Sequence, residues 1–131
     1  MRVVLDSYAV LAYINDEAAA ERVEEYLNLG RRGKAELYMN VVNLGEVYYV
    51  ISRKRGTDIA NLAVALIRRE PIKLVVVDER LALIAGRIKA FHRLSYADAF
   101  AVATAIDLNA TLLTGDDEFR SVEDKVKIEW L

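Results

Sequence analysis

Three apolar residues at positions 3–5 come immediately before the carboxylate of Asp6. Such a run is typical of a strand that is buried on both faces of a sheet. A second apolar segment begins at Tyr8, so Asp6 lies between two elements that are both expected to be buried. Ligands of open α/β sheets bind at the carboxyl ends of parallel strands. Asp6 is therefore a candidate site residue, although Asp is also among the best helix N-caps.

The rest of the chain alternates in the same way between short apolar runs and longer amphipathic segments. Helices are predicted at 7–15, 17–32, 41–55, 57–69, 79–91 and 96–108, and further strands at 37–40, 72–77, 111–114 and 126–129. Strands that alternate with helices form βαβ units, which give a parallel sheet covered on both faces. The sequence therefore predicts an α/β fold in three α/β/α layers. Its sheet should be mostly parallel and five-stranded, in a single domain spanning residues 1–131.

The composition narrows the chemistry that the chain can perform. It contains no Cys, which excludes disulfides, thiolate metal ligands and a thiol nucleophile. Its single histidine, His92, lies at a predicted helix end and is expected to be a solvated last-turn residue. There is no apolar run of eighteen residues and no signal-peptide pattern, so a cytoplasmic protein that does not associate with membranes is expected.

Two predicted helices each carry one acidic residue among apolar neighbours. Glu46 shares its helical face with apolar side chains, and Asp98 is the only charge of its helix before Asp107. Each has a structural explanation, since Glu46 could extend to solvent and Asp98 could complete a capping box with Ser95. Burying a carboxylate without a partner costs several kcal/mol, compared with ~1 kcal/mol gained from a cap. We therefore interpret Glu46, Asp98 and Asp6 as acids that converge on a shared cation.

A fourth acid, Asp116, follows the predicted strand at 111–114 as Asp6 follows the first strand. Thr-Gly-Asp-Asp is also an ordinary turn sequence, and spacing does not decide whether Asp116 or Asp117 faces the site. A carboxylate pocket without His or Cys selects Mg²⁺ or Mn²⁺, and such sites most often act on phosphates. Adding these four charges back to the net charge of −2 leaves +2 for the rest of the chain. A polyanionic substrate is therefore not opposed by the remaining surface.

Four segments occur in the order found in PIN-domain nucleases. They are VVLDS at 3–7, NLGE at 43–46, LSYADA at 94–99 and TGDDEF at 114–119. The chain resembles this family over essentially its whole length, and at this compact size it is most similar to the VapC toxins of toxin–antitoxin pairs. The resemblance implies a PIN-like fold and a Mg²⁺- or Mn²⁺-dependent endoribonuclease that hydrolyses RNA phosphodiester bonds. It also implies a homodimer and a small VapB-like antitoxin that blocks the site.

The same resemblance implies roles for individual residues. The four acids would be the catalytic and metal-binding residues: Asp6, Glu46, Asp98 and Asp116. Ser7 and Thr114 would supply hydroxyl groups that support the cluster. Tyr8 departs from the family pattern, because many members carry Ser or Asn at that position.

A basic run, Arg53-Lys54-Arg55, is a candidate for holding the RNA backbone, although such clusters are usually solvated helix ends. Two other functions are compatible with the residues alone. One is a non-catalytic binding module that keeps the PIN fold. The other is a small-molecule phosphohydrolase that uses Asp6 as a nucleophile. That second site would be expected to contain a phosphate-binding Lys, and none is evident at the ends of the late strands.

Overall fold

The computed structural model describes residues 1–131, which form one five-stranded sheet with helices packed on it. The strands are β1 (Arg2–Leu5), β2 (Glu36–Asn40), β3 (Ile72–Val75), β4 (Thr111–Thr114) and β5 (Ile128–Trp130). The helices are α1 (Ser7–Ile14), α2 (Ala20–Arg31), α3 (Val41–Arg55), α4 (Thr57–Arg69), α5 (Glu79–Phe91) and α6 (Tyr96–Asp107). A short 3₁₀ helix, Asp117–Val122, precedes the last strand.

The sheet has the strand order β3-β2-β1-β4-β5, and every neighbouring pair of strands is parallel. The predicted α/β fold is therefore confirmed, and the sheet is wholly rather than mostly parallel. Each parallel pair needs a connection that crosses over a face of the sheet, and the helices between the strands make these connections.

The central strand β1 is buried on both faces, as its apolar run predicts. Val3 and Leu5 pack into one hydrophobic cluster with α1, α2, α3 and α4, whereas Val4 packs into a second cluster with α5 and α6. Successive side chains of a strand point to opposite faces, so three consecutive apolar residues supply both clusters. One cluster lies between the sheet and the helices on each of its two faces, which gives the three layers of the predicted α/β/α arrangement.

The chain changes direction across the sheet at β1. In chain order, β2 and β3 are added to the sheet on one side of β1, and β4 and β5 are then added on the other side. Such a reversal leaves a crevice outside the carboxyl ends of the two adjacent strands, here β1 and β4. Asp6 follows the last residue of β1, and Thr114 is the last residue of β4. The topology therefore places both residues at the crevice.

Side-chain caps fix where several helices begin. Asp6, Asn40 and Asp78 accept a hydrogen bond from a backbone N–H in the first turn of α1, α3 and α5 respectively. The Ser95 hydroxyl does the same for α6. These caps satisfy N–H groups that have no partner inside the helix. Three of these helices start close to a strand end, so the caps also fix the direction in which each helix leaves the crevice.

The observed elements differ from the predicted ones mainly at their ends. α2 begins at Ala20 rather than at position 17, and β3 ends at Val75, after which Val76 is exposed. β5 lies at Ile128–Trp130 rather than at 126–129. Apolar composition alone does not mark these ends, since they depend on which backbone groups find partners in the sheet. None of the helices combines the length and the hydropathy that a membrane-spanning helix requires.

Candidate metal centre

The Asp6 carboxylate is only 1% exposed, and both of its oxygens accept hydrogen bonds. Oδ1 accepts from the backbone N–H of Ala9 at 2.9 Å, and Oδ2 accepts from the Thr114 hydroxyl at 2.5 Å. Asp6 therefore caps α1, one of the two roles considered from the sequence, and its second oxygen joins the ends of β1 and β4. A carboxylate has about four lone-pair sites, which leaves acceptor capacity on Asp6 for a cation.

Thr114 extends this contact to the next acid. Its hydroxyl oxygen accepts a hydrogen bond from the backbone N–H of Asp116 at 3.1 Å. Oδ1 of Asp116 in turn accepts from the backbone N–H of Glu118 at 3.0 Å, which closes a tight turn. Asp117 points away, because its side chain is 86% exposed and pairs with Arg120 at 3.3 Å. Asp116, not Asp117, is thus the residue of this pair that faces the other acids.

Asp98 is brought to the same crevice by the first turn of α6. The Ser95 hydroxyl accepts a hydrogen bond from the backbone N–H of Asp98 at 3.1 Å. The helix is capped through the backbone N–H of Asp98, and a hydrogen bond from Ser95 also lowers the pKa of the Asp98 carboxyl group, against the larger effect of burial. Carboxylate oxygens of Asp98, Asp116 and Glu118 all lie within 4.8 Å of one another. These three acids form the tightest cluster of potential ligands in the crevice.

Glu118 is a member of this cluster that the sequence did not single out. Its side chain is exposed and it lies in the turn after Asp116, where an acidic residue looks like ordinary surface. The hydrogen bond from its backbone N–H to Asp116 turns it back toward Asp98. The run of three acids at 116–118 was the only sequence signal that could have indicated it.

Glu46 borders the cluster from α3 and is held by its neighbour across the crevice. The Ser7 hydroxyl donates a hydrogen bond of 2.6 Å to Oε1 of Glu46. Glu46 is also one of the charges that raise the pKa of Asp98. Glu46 and Asp6 thus belong to the same electrostatic environment, but neither lies within the 4.8 Å cluster.

A buried amide connects the two helices that carry Glu46 and Asp98. The Asn43 side chain is fully buried, and its Nδ2 donates to the backbone carbonyl of Ala97 at 3.0 Å. Asn43 lies one turn before Glu46 on α3, and Ala97 directly precedes Asp98 on α6. This hydrogen bond therefore fixes the separation of the two acids. The sequence alone did not point to Asn43, because nothing in its local pattern shows which helix it faces.

Burial sets the protonation of the two least exposed acids. Desolvation raises the pKa of Asp6 to about 7, against the opposing hydrogen bonds from Thr114 and Ala9, and nearby Asp98 and Asp116 raise it further. Desolvation likewise raises the pKa of Asp98 to about 6, with added repulsion from Asp116 and Glu46. None of the ion pairs in the structure involves these acids. The cluster therefore carries negative charge that no side chain of the chain itself neutralises.

The donor set matches a hard divalent cation. All the converging groups offer carboxylate oxygen, which Mg²⁺ and Mn²⁺ prefer. The only imidazole, His92, ends α5 and contacts the carbonyl of Ile88 at 3.1 Å. A cation among Asp98, Asp116 and Glu118 would relieve their mutual repulsion, which gives the site an electrostatic reason to bind one.

The basic run that ends α3 is exposed, and its three side chains point in different directions. Arg53 lies seven residues after Glu46, which places it on the same helical face about 10 Å further along the axis. Its guanidinium stacks over the ring of Tyr49 at 5.2 Å from the centroid. Arg55 lies on the opposite face and borders a groove between α1 and α4. Of the three predicted basic residues, Arg53 shares the helical face of Glu46.

A family model described as "PIN domain" matches residues 3–125 of this chain. No curated protein sequence matches the chain at a significant level. The fold is nevertheless similar to several solved structures.

A chain of the VapBC2 complex from Rickettsia felis, bound to a DNA fragment from its promoter, has a TM-score of 0.79 at 16% identity, with 98% of each chain covered. Mycobacterium tuberculosis VapC20, described as a sarcin–ricin loop cleaving toxin, has a TM-score of 0.74 at 18% identity, covering 92% of this chain and 94% of that one. A chain of a toxin–antitoxin complex from Klebsiella pneumoniae has a TM-score of 0.70 at 12% identity, covering 97% and 95%.

The raised pKa values predict an unusual dependence of stability on pH in metal-free protein. Asp6 and Asp98 lose their protons near pH 7 and 6 in the folded state, whereas in the unfolded chain both are ionised above about pH 4. Between pH 5 and 8 the folded state therefore binds more protons than the unfolded one, so the free energy of unfolding falls as pH rises. We expect a fall on the order of a few kcal/mol, measured by urea denaturation in the presence of a chelator.

The double variant Asp6→Asn, Asp98→Asn is the control for this prediction. It cannot titrate at these positions, so its free energy of unfolding should change much less between pH 5 and 8. Addition of Mg²⁺ at pH 8 should raise the stability of the wild type and leave the double variant nearly unchanged, because a ligand stabilises only the state that binds it. Identical pH profiles for the two proteins would show that these carboxylates are not desolvated as described.

Proposed function

This chain belongs to the PIN-domain family, whose model matches residues 3–125, and from that premise we propose that it is a divalent-metal-dependent endoribonuclease. We propose further that it is the toxin of a VapBC-type toxin–antitoxin pair and acts in the cytoplasm. The observation that carries the proposal is the convergence of Asp98, Asp116 and Glu118, bordered by Asp6 and Glu46, at the crevice between β1 and β4. No Arg or Lys of the chain pairs with the four acids of the motifs.

Asp98, Asp116 and Glu118 would hold the cation directly, and Asp6 and Glu46 would complete the set or hold a second ion. When bound there, Mg²⁺ or Mn²⁺ supplies charge stabilisation at the phosphate and makes water a better nucleophile. The other residues keep the acids in place. Thr114 fixes Asp6 at 2.5 Å, and Ser7 fixes Glu46 at 2.6 Å. The acids are thus positioned before the substrate arrives, which is the condition for electrostatic catalysis.

Water is the nucleophile that best suits this site. The Ser7 and Thr114 hydroxyls both donate to carboxylates, so neither is directed at a substrate. A carboxylate nucleophile on a small phosphate ester would need a cationic side chain to bind the phosphate. Arg53, the predicted basic residue that shares the helical face of Glu46, lies about 10 Å along α3 from it. That spacing suits a neighbouring phosphate of a polymer better than the phosphate under attack.

An antitoxin is the proposed partner, and the uncompensated negative charge indicates how it would bind. An Arg side chain from a partner reaches carboxylates with bidentate geometry and is always charged. Inserted among Asp98, Asp116 and Glu118, it would compete with the cation and silence the enzyme. The solved complexes with similar folds, VapBC2 from Rickettsia felis and the toxin–antitoxin complex from Klebsiella pneumoniae, motivate this assignment. We also propose that the protein is a homodimer.

The matched pair Asp116 and Asp117 tests the catalytic assignment. Asp116→Asn should lower cleavage of single-stranded RNA in Mg²⁺ by a factor of 100 or more, because a neutral amide is a poor replacement for an anionic ligand. Asp117→Asn should cleave like the wild type, since its exposed side chain pairs only with Arg120. Cleavage is followed by gel analysis of end-labelled RNA under single-turnover conditions.

Asp98→Asn and Asp107→Asn form a second matched pair, both on α6. Asp98→Asn should be inactive but folded, because the α6 cap uses the backbone N–H of residue 98. Asp107→Asn loses an exposed ion pair with Arg80 at 2.6 Å and should keep its activity. If Asp98→Asn or Asp116→Asn retained wild-type cleavage, the nuclease assignment of this cluster would be wrong. Turnover of a small phosphate ester without RNA cleavage would favour the phosphohydrolase instead.

Arg53 and Arg55 test how RNA is held. Arg53→Ala, in the inactive Asp98→Asn background, should weaken RNA binding severalfold. It should also reduce the slope of log affinity against log salt by about 0.7, the value for one phosphate contact on a single strand. Arg55→Ala, on the opposite face of α3, should change neither quantity. Equal losses in both variants, measured by fluorescence anisotropy, would mean that the basic run acts only through its overall charge.

A further inference from the structure

The ring of Tyr8 contacts the loop that follows β4 and also lines a groove that the proposed chemistry does not use. Tyr8 lies in the first turn of α1, two residues after Asp6, and its side chain is 42% exposed. The ring packs so closely against Gly115 that a Cβ added to Gly115 would overlap the ring atoms of Tyr8. Gly115 connects Thr114 to Asp116. The aromatic ring is therefore in contact with the loop that holds two members of the cluster.

Tyr8 also lines a groove of about 340 Å³ between α1, α2 and Leu131. Its walls include the small side chains of Ala12 and Ala19 together with Leu131. Arg22 and Glu17 add charged groups at the rim. The volume is near the lower limit of small-ligand sites, which suits one planar group rather than a peptide helix.

The charged group at the rim is held in a fixed position. Nη2 of Arg22 pairs with Oε1 of Glu129 at 2.9 Å, and Nη1 donates to the backbone carbonyl of Trp130 at 3.4 Å. A guanidinium has five N–H donors, so these two contacts and a further hydrogen bond with Tyr26 leave donors of Arg22 for a ligand in the groove that it lines. The groove thus combines an exposed aromatic ring, an apolar floor and fixed donors, which is the combination that recognises an unpaired nucleobase.

We propose that this groove is a nucleoside subsite, in which the base next to the cleaved phosphodiester bond stacks on Tyr8 and hydrogen-bonds at the Arg22 rim. The proposal rests on the proposed nuclease function and adds to it the place where the RNA strand is held. Continuity with the acidic crevice selects this occupant, because one residue, Gly115, separates the ring from both Thr114 and Asp116. A base in the groove would therefore be attached to a phosphate at the acids.

The test uses a single-stranded RNA whose cleavage position has been mapped, with one abasic nucleotide moved stepwise across the flanking positions. With wild-type protein, one flanking position should show a loss of cleavage between about fivefold and 150-fold, the range for one stacked base. Tyr8→Ala should show a similar loss on the intact RNA and no additional loss at that abasic position. Tyr8→Phe keeps the ring and should behave as the wild type at every position.

A second variant covers the case in which Tyr8→Ala does not fold. Ala18 lies at the same groove and is exposed, so Ala18→Trp should fold normally and fill the groove. It should lose the same flanking discrimination as Tyr8→Ala. The proposal is overturned if the abasic penalty is equal in wild type, Tyr8→Ala and Ala18→Trp, or if no flanking position shows a penalty.

Measurements of RNA binding show whether the subsite proposal is wrong by itself or whether the nuclease assignment is wrong. The same abasic series is measured by anisotropy in the Asp98→Asn background, with and without Tyr8→Ala. Efficient cleavage without any Tyr8-dependent position overturns the subsite alone. Absence of cleavage of every RNA by the wild type overturns the proposed function, and the binding series then decides whether the groove holds a base.

Discussion

The hydrogen bond between the Thr114 hydroxyl and the Asp6 carboxylate is the contact on which the rest of the site depends. It joins the carboxyl ends of β1 and β4, the two strands between which the chain reverses across the sheet. The same hydroxyl oxygen positions the backbone of Asp116, and the same carboxylate caps α1. One short contact therefore sets the positions of two acids, a helix and the loop that approaches Tyr8. Because it is buried, water does not compete with it.

The site that forms around this contact carries a cost in stability. Desolvation and mutual repulsion raise the pKa of Asp6 to about 7 and of Asp98 to about 6, and no Lys or Arg offsets them. The chain holds these groups in place with buried neutral hydrogen bonds, among them that of Asn43 to the carbonyl of Ala97. A fold that maintains buried like charges in this way is most stable when a cation binds among them. The negative charge that we propose binds a metal would also attract a partner's Arg, so catalysis and inhibition would depend on the same electrostatic property.

The features of the fold and of the candidate site that depend on local sequence pattern could be predicted from the sequence. The run at 3–5 predicts a strand buried on both faces, and Val3, Val4 and Leu5 do supply both hydrophobic clusters. Asp98 stands out because no other charge lies nearby on its helix. Glu118 and Asn43 could not be predicted, since their roles depend on a turn and on a helix pair that form only in three dimensions. The choice between Asp116 and Asp117 needed the same information.

Anomalous diffraction from crystals soaked in Mn²⁺ shows whether a divalent cation binds among the acids at the β1–β4 crevice, as we propose. We expect an anomalous peak between the carboxylates of Asp98, Asp116 and Glu118, whose oxygens lie within 4.8 Å of one another. Crystals of the Asp98→Asn variant treated in the same way should lack that peak. Mn²⁺ peaks confined to other surface carboxylates, with none at this crevice in the wild type, would mean that these acids do not form a cation site.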